Sequence, residues 1–358
     1  MKTIHVPTTG QHYDVHIAPG LLATVGAQAR ETLPGAQKAA VVTDLNVEGL
    51  YLGTVRRSLE QAGFEVHSAS LPAGEASKSG ETYLALLGWL CNVGLTRTDV
   101  IVALGGGVVG DLTGFAAATY LRGVRYIQLP TTLLAMVDSS VGGKTAIDLP
   151  GGKNLAGAFY QPSLVLCDTN ALDSLPDDIY RDGVAEVIKY GMICDPEGSL
   201  LEQLRGDALW ERPEEIIARC LAIKRDIVCE DELDTGKRML LNFGHTIGHA
   251  IEKLSNYEIS HGLAVAIGMA IDTRAAVSQW FCPPECLSVL EELLAKYNLP
   301  NTTEFTPVQL YEAALSDKKR TGGSITNVTP REHGNCGLNT LPVAELYEWI
   351  QSGMSQCE

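Results

Sequence analysis

The chain has 358 residues, of which 45 % are hydrophobic and 20 % are charged. At about 100–200 residues per domain this length predicts two domains, and the composition excludes a wholly disordered chain. The chain has 27 Lys and Arg against 43 Asp and Glu, and the resulting net charge of −16 predicts that neither nucleic acid nor an anionic membrane is a partner.

The ends and the cysteines predict a cytoplasmic protein. The first 20 residues are polar and lack the layout of a signal peptide, and no apolar run approaches the roughly 20 residues of a membrane span. Nine cysteines are scattered without a repeated spacing, as is usual for reduced intracellular protein. Cys282 and Cys286 come closest to forming a pair.

The first half of the chain alternates strand and helix patterns. Short apolar runs at 39–44 and 99–104 predict buried parallel strands, and 64–71 predicts a further strand. Residues 47–63 and 81–93 carry apolar stripes at helical spacing. This alternation predicts a parallel sheet that is covered by helices on both faces.

The pattern changes in the second half of the chain. Residues 172–298 show long helix-period stretches, and only 323–330 resembles one arm of a late hairpin. We therefore predict an N-terminal domain over 1–175 and a mostly helical domain over 176–358.

A glycine-rich turn follows the predicted strand that ends at residue 104. Residues 105–111 read Gly-Gly-Gly-Val-Val-Gly-Asp and precede an apolar helix, whose N-terminus would suit a diphosphate. The order of glycines differs from G-x-G-x-x-G, so a plain strand-to-helix turn is the alternative. Asp44 ends an earlier strand, where it would accept a ribose hydroxyl or cap the next helix.

Two Gly-Gly-Lys units end at Lys144 and Lys153, in segments that we predict to be loops. A P-loop is excluded because Asp138 stands where that motif requires its first glycine. Lysines on glycine-rich loops suit phosphate or carboxylate ligands, whereas the alternative is that they are solvated surface lysines. Asn154 and Arg122 are further candidates for the same ligand.

Three histidines and a glutamate predict a metal site. His245 and His249 are four residues apart on one helix face, and His261 opens another helix. Glu186 lies in an apolar helix with Lys189 one turn later. Glu186 with two of the three histidines would give three ligands and an open position, which is typical of a catalytic divalent metal. The spacing does not show which of the three histidines is not a ligand. The alternative to a metal site is a set of hydrogen-bonded core histidines with a Glu186–Lys189 ion pair.

Together these motifs resemble the 3-dehydroquinate synthase family over nearly the whole chain. The resemblance implies an α/β plus all-α fold, in which a Rossmann-like parallel-sheet domain binds NAD and a mostly helical domain binds substrate and zinc or cobalt. It also implies a homodimer in which Arg122 acts across the interface. The segments that carry the resemblance are 105–111, 120–123, 130–144, 152–161, 185–191, 241–252, 261–262 and 317–319.

The family's reaction belongs to the shikimate pathway, which leads to chorismate and the aromatic amino acids. The resemblance implies that 3-deoxy-D-arabino-heptulosonate 7-phosphate becomes 3-dehydroquinate and phosphate by transient NAD oxidation, phosphate elimination, re-reduction and intramolecular aldol closure. Related sugar-phosphate cyclases tend to differ at the positions of Asn242 and His249, and this chain keeps both. The alternatives are another sugar-phosphate cyclase and a metal-dependent NAD polyol dehydrogenase.

The resemblance also implies roles for single residues. It assigns the metal to Glu186, His245 and His261 and leaves His249 as the acid/base group. The further implied catalytic groups are Lys144, Lys189 and Asn242. The implied substrate contacts are Arg122, Asp138, Lys144, Lys153, Asn154, Lys224, Arg238, Asn242 and Lys318. The implied NAD contacts are Asp44, Asn46, Glu75, Lys78, Gly106, Gly107, Asp111, Thr131, Thr132, Lys144 and Lys153.

Overall fold

The computed structural model describes residues 1–195, 197–315, 320–321 and 323–355. The chain folds into two compact units, Met1–Pro176 and Asp177–Glu358. Within the described ranges, no helix combines the length and the apolar character that a membrane span requires.

The N-terminal unit is an α/β structure. Its strands are β1 (Lys2–Pro7), β2 (His12–Ala18), β3 (Lys38–Asp44), β4 (Glu65–Leu71), β5 (Val100–Gly105), β6 (Arg125–Pro130), β7 (Lys144–Leu149), β8 (Gly152–Phe159) and β9 (Leu164–Asp168). Its helices are α1 (Val25–Thr32), α2 (Leu45–Val47), α3 (Gly53–Gln61), α4 (Gly80–Val93) and α5 (Gly107–Thr119).

Seven of these strands form one sheet in the order β1-β2-β9-β6-β5-β3-β4, in which only the β1–β2 pair is antiparallel. Successive side chains point to opposite faces, so Val41 of β3 joins the apolar cluster that contains Leu59 of α3. Its neighbour Val42 joins the cluster that contains Leu112 of α5. The predicted parallel sheet with helices on both faces is confirmed.

The strand order reverses beside β3, which marks a candidate ligand position at the carboxyl ends of the strands. After β3 the chain forms β4 on one side, and then β5 on the other side of β3. Open parallel sheets bind ligands beyond the carboxyl ends of the strands where the order reverses in this way. Asp44 ends β3 and the glycine turn follows β5, so both flank this position.

Several features of this unit differ from the sequence pattern, which predicted only β3, β4 and β5 among its strands. The predicted helix over 47–63 is interrupted by a π-helical turn at Glu48–Leu52. The pattern also missed β2, although buried Tyr13, Val15 and Ile17 alternate there with more exposed polar residues. That alternation is a strand signal, which the polar composition of the segment obscured.

The C-terminal unit is mostly helical. Its helices are α6 (Asp177–Ile193), α7 (Ser199–Arg205), α8 (Ala208–Glu211), α9 (Pro213–Glu230), α10 (His245–Leu254), α11 (His261–Ser278), α12 (Glu285–Lys296), α13 (Pro307–Ala314) and α14 (Val343–Met354). A three-stranded sheet contains β10 (Arg320–Thr321), β11 (Ser324–Glu332) and β12 (Asn335–Pro342).

Helix α11 runs through the middle of this unit and packs against α6, α10, α12 and α14. A Cβ at Gly268 would lie 2.0 Å from the carbonyl oxygen of Gly244, so glycine permits the close approach of α11 to the start of α10. The single hairpin arm predicted at 323–330 has a partner strand, β12. The sequence concealed β12 because its asparagines and glycine have low strand propensity.

Candidate functional site

Three helices of the C-terminal unit bring Glu186, His245 and His261 together. Glu186 lies in the middle of α6, while the two histidines are the first residues of α10 and α11. The Oε1 atom of Glu186 is 3.6 Å from Nε2 of His245 and 3.7 Å from Nε2 of His261. The three side chains offer ligand atoms that all lie within 4.8 Å of one another.

The second ring nitrogen of each of these histidines has its own partner. Nδ1 of His245 donates to the carbonyl oxygen of Phe243 at 3.0 Å, and Nδ1 of His261 donates to Oε2 of Glu252 at 3.2 Å. When the rings are neutral, these bonds select the tautomer in which Nε2 carries a lone pair. Metal-ligating histidines are held by such bonds, so both Nε2 atoms are prepared to accept a cation beside Glu186.

The surroundings of Glu186 also fit a cation. Both carboxylate oxygens are fully buried and accept no hydrogen bond of normal geometry within the described residues. The ammonium group of Lys189 lies against Oε2, so the Glu186–Lys189 ion pair that was the alternative is present beside the histidines. One carboxylate oxygen and two imidazole nitrogens form a donor set that suits zinc or a similar divalent ion.

Local electrostatics favour positive charge at this point. Burial would lower the pKa of His261, but the hydrogen bonds and charges of Glu186 and Glu252 outweigh burial and raise that pKa to about 10. A ring that is stabilised so strongly as a cation lies in a strongly negative potential. A divalent cation would gain from the same potential.

His249 lies one turn after His245 on α10 and is half-buried. Its ring centroid is 5.5 Å from that of His245 and 6.1 Å from that of His261. His249 also forms a second possible ligand group with Glu252 and His261. Its role as the acid/base group stays a prediction.

The remaining C-terminal residues predicted to bind substrate lie on two packed elements. Lys224 is buried in α9, and Arg238 is buried in a 3₁₀ turn, Lys237–Asn242, that packs on α9 and ends at Asn242. The Nη1 atom of Arg238 donates to the carbonyl oxygen of Glu232 at 2.7 Å. The positive charges of Lys224 and Arg238 would suit a carboxylate ligand, and this contact stays a prediction. Lys318 lies outside the described residues.

Several residues predicted to bind NAD form a charged cluster in the N-terminal unit. Nζ of Lys78 is 2.5 Å from Oδ2 of Asp111 and 4.0 Å from Oε1 of Glu75, which is 3.9 Å from Nζ of Lys153. Burial raises the pKa of Glu75 despite the opposing charges of Lys78 and Lys153. Burial would lower the pKa of Lys78, but Asp111 and Glu75 outweigh burial and raise it.

The glycine turn after β5 is closely packed, and its glycines keep the backbone free of side chains there. A Cβ on Gly106 would lie 3.1 Å from Cγ2 of Thr132, and a Cβ on Gly107 would lie 3.2 Å from Oγ of Ser139. The buried hydroxyl of Thr131 has no hydrogen-bond partner among the described residues. With the N-terminus of α5, these features fit the diphosphate of a dinucleotide.

Asp44 caps the helix that follows it. Its Oδ1 atom accepts from the backbone N–H of Asn46 at 2.8 Å and of Val47 at 3.1 Å. The capping alternative is therefore confirmed. Contacts of Asp44 and Asn46 with a ribose stay predictions.

The loops predicted around Lys144 and Lys153 are strands, so that prediction was wrong. Lys144 begins β7 opposite Phe159, and Lys153 lies in β8 beside the Leu149–Gly152 end of the hairpin. Backbone pairing between β7 and β8 overrides the loop preference of the glycines.

Three other predicted substrate contacts lie at irregular backbone. Arg122 is exposed with a φ of 66°, and Leu121 before it has a φ of 51°. Asn154 has a φ of 54°, and its backbone N–H donates to Oδ1 of Asp148 at 2.7 Å. Asp138 is half-buried in a π-helical turn, Ala135–Ser139. Left-handed backbone in residues other than glycine is costly and is concentrated at functional sites.

Comparison with known proteins identifies the family. The model of the 3-dehydroquinate synthase N-terminal domain matches residues 68–182, and that of the C-terminal domain matches residues 183–320. A 3-dehydroquinate synthase from Clostridium kluyveri is 42 % identical over 98 % of this chain and 98 % of its own length. The chain belongs to the 3-dehydroquinate synthase family.

Solved structures agree with this assignment and with the predicted fold class. A 2-deoxy-scyllo-inosose synthase, complexed with carbaglucose-6-phosphate, NAD⁺ and Co²⁺, has a TM-score of 0.88 at 25 % identity, covering 98 % of this chain and all of its own. The 2-epi-5-epi-valiolone synthase ValA of Streptomyces hygroscopicus subsp. jinggangensis, with NAD⁺ and Zn²⁺ bound, has a TM-score of 0.85 at 27 % identity, covering 95 % of this chain and 96 % of its own.

Two residues near the candidate metal ligands were not predicted from the sequence. Glu252 contacts His261, and Oδ1 of Asp182 accepts from Oγ of Ser260 at 2.5 Å, directly before α11. Glu252 follows His245 by seven residues and therefore shares its helix face, which is a signal that the sequence contains. Asp182 precedes Glu186 by four residues, but its link to α11 is visible only in the fold.

Proposed function

We propose that this protein is a 3-dehydroquinate synthase, which converts 3-deoxy-D-arabino-heptulosonate 7-phosphate to 3-dehydroquinate and phosphate. The observation that carries this proposal is the set of Glu186, His245 and His261, with both Nε2 atoms facing the buried carboxylate, in a chain of this family. NAD and a divalent metal, zinc or cobalt, are the cofactors.

The substrate is a sugar phosphate that carries a phosphate and a carboxylate. Since the chain has a net charge of −16, local cations must hold this anion. Lys144, Lys153 and Arg122 supply such charges in the N-terminal unit, and buried Lys224 and Arg238 supply them in the C-terminal unit. Arg238 has the planar fork that suits a carboxylate, which favours it as the carboxylate contact.

The chemistry of the site divides between bound groups and protein residues. When bound, the metal would polarise the hydroxyl that is oxidised and NAD would accept and later return its hydride. Glu186, His245 and His261 would hold the metal, and Lys189 offsets part of the buried charge of Glu186. His249 would exchange a proton through its imidazole during phosphate elimination, in which the substrate phosphate itself would serve as a base.

The decisive assay is release of inorganic phosphate from the heptulosonate substrate with NAD and zinc or cobalt present. We expect phosphate release without accumulation of NADH, because the hydride returns in each turnover. Phosphate release from sedoheptulose 7-phosphate or glucose 6-phosphate instead would identify another sugar-phosphate cyclase. A steady rise of NADH absorbance with a polyol would identify a dehydrogenase.

We further propose that the protein is a cytoplasmic homodimer with functional domains 1–175 and 176–358, and that it binds neither nucleic acid nor membranes. Light scattering on the purified protein tests the dimer, and a monomeric mass contradicts it.

If Arg122 acts across the interface, mixing an Arg122→Ala protein with a His249→Ala protein should restore activity beyond the sum of the two. Elemental analysis of protein purified without added metal decides between zinc and cobalt.

A further inference from the structure

We propose that Glu252 is a positioning residue of the metal site, which fixes the ring orientation and tautomer of His261 and thereby sets metal affinity. The inference rests on the proposed function because it takes Glu186, His245 and His261 as the ligands. Glu252 would not touch the metal itself and would act only through the His261 ring.

The carboxylate of Glu252 is placed for this role. Its side chain is only 3 % exposed, and Oε2 accepts from Nδ1 of His261 at 3.2 Å. The opposite ring nitrogen, Nε2, then faces Oε1 of Glu186 at 3.7 Å. A buried carboxylate is costly unless it is paired, so the pair with His261 accounts for an acid at this position.

The fold brings the two residues together across a turn. Glu252 lies near the end of α10 and His261 is the first residue of α11, separated by Asn256 and Tyr257 with φ values of 51° and 65°. An aromatic residue in left-handed backbone persists only where its surroundings enforce it. This turn reverses the chain direction, so that His261 at the start of α11 contacts Glu252 near the end of α10.

The second possible ligand group, His249 with Glu252 and His261, has a simpler explanation in this arrangement. Glu252 engages the Nδ1 side of the His261 ring, while Glu186 lies on the Nε2 side. His245 has a neutral partner for Nδ1, the carbonyl of Phe243. A carboxylate partner makes an imidazole ligand more basic than a carbonyl partner does, so Glu252 should strengthen the His261–metal bond in particular.

The test is metal retention in zinc-loaded protein that is challenged with a chromophoric chelator. Glu252→Gln keeps the side-chain shape and removes the charge, and loss of a partner of this kind weakens metal binding by about 10- to 100-fold. Glu258→Gln, the same substitution at an exposed acid of the following turn, should bind zinc like wild type. Cobalt-loaded Glu252→Gln should also show a shifted visible spectrum, which a purely structural role would not produce.

The outcomes separate the two proposals. Zinc affinity of Glu252→Gln within about twofold of wild type, with His245→Ala strongly weakened, overturns the role of Glu252 and leaves the metal site intact. Equal zinc affinity of His245→Ala and wild type overturns the proposed metal site. Should Glu252→Gln fail to fold, ¹⁵N spectra of histidine-labelled, zinc-loaded wild type decide: a proton on Nδ1 of His261 supports the inference, and a proton on Nε2 refutes it.

Discussion

Replacement of Lys78 by methionine should destabilise the N-terminal unit even without NAD. The side chain of Lys78 is 5 % exposed and that of Asp111 is 19 % exposed, with 2.5 Å between Nζ and Oδ2. Methionine fills a similar volume but leaves Asp111 without this cation. Breaking a fully buried ion pair costs about 3–5 kcal/mol, whereas an exposed pair contributes about 0–1 kcal/mol.

Because Asp111 is partly exposed, the loss of folding stability expected for Lys78→Met lies between these limits, at about 2–4 kcal/mol. Glu75 adds a weaker attraction than Asp111, because its side chain is 39 % exposed and its Oε1 atom is 4.0 Å from Nζ of Lys78. For a unit of this size the loss corresponds to a fall in Tm of roughly 5–15 °C. The pKa of Lys78 is raised above its usual value, so the pair contributes fully below that value and weakens only as pH rises through the raised pKa.

Thermal unfolding in the absence of NAD measures this effect. The gap in Tm between wild type and Lys78→Met should stay constant from about pH 6 to pH 9, since Lys78 remains charged throughout. The double variant Lys78→Met/Asp111→Asn should recover about half of the lost stability, because no uncompensated charge remains. A Tm of Lys78→Met within about 2 °C of wild type would refute the reasoning, as would a double variant less stable than the single one.

Three further predictions concern other parts of the molecule. His245→Ala should lose bound metal and activity together, whereas His249→Ala should keep metal and lose rate; elemental analysis showing equal metal loss would contradict these roles. Gly268→Ala should cost about 3 kcal/mol or more in chemical denaturation, since its Cβ would meet the Gly244 carbonyl at 2.0 Å. Hydrogen bonds outweigh burial and lower the pKa of Asp99 in the folded protein. Its contribution to folding stability is therefore present above the pKa that Asp99 has in the unfolded chain, and is lost as the pH falls through the lowered pKa. Asp99→Asn should therefore flatten the loss of stability below about pH 4, and an unchanged acid profile would argue against it.

Strands β3, β4 and β5 and helices α3 and α4 were predictable because periodicity is local. Residues 100–104 form a continuous apolar run, and a strand buried on both faces requires one. The hairpin of β7 and β8 was not predictable in this way. Glycines at 142–143 and 151–152 favour loops, and only pairing of Lys144 with Phe159 and Leu149 with Gly152 makes these segments strands.

The candidate site also has some features that the sequence predicted and others that depended on packing. His245 and His249 share a helix face by their spacing alone, and Glu186 stands out as a charge within an apolar helix. Which histidine faces Glu186 depended on the packing of α6, α10 and α11, since that packing brings Nε2 of His245 and His261 to the same carboxylate oxygen.

The amino-acid sequence by itself determined β3, β4, β5 and the helices between them, the glycine turn and the types of candidate metal ligand, because each is expressed within one or two neighbouring elements. Only the tertiary structure decided that Glu252 holds His261 and that Asp182 contacts Ser260 before α11. Hydrogen bonds between side chains on different helices depend on how those helices pack, and no periodicity along one segment encodes that packing.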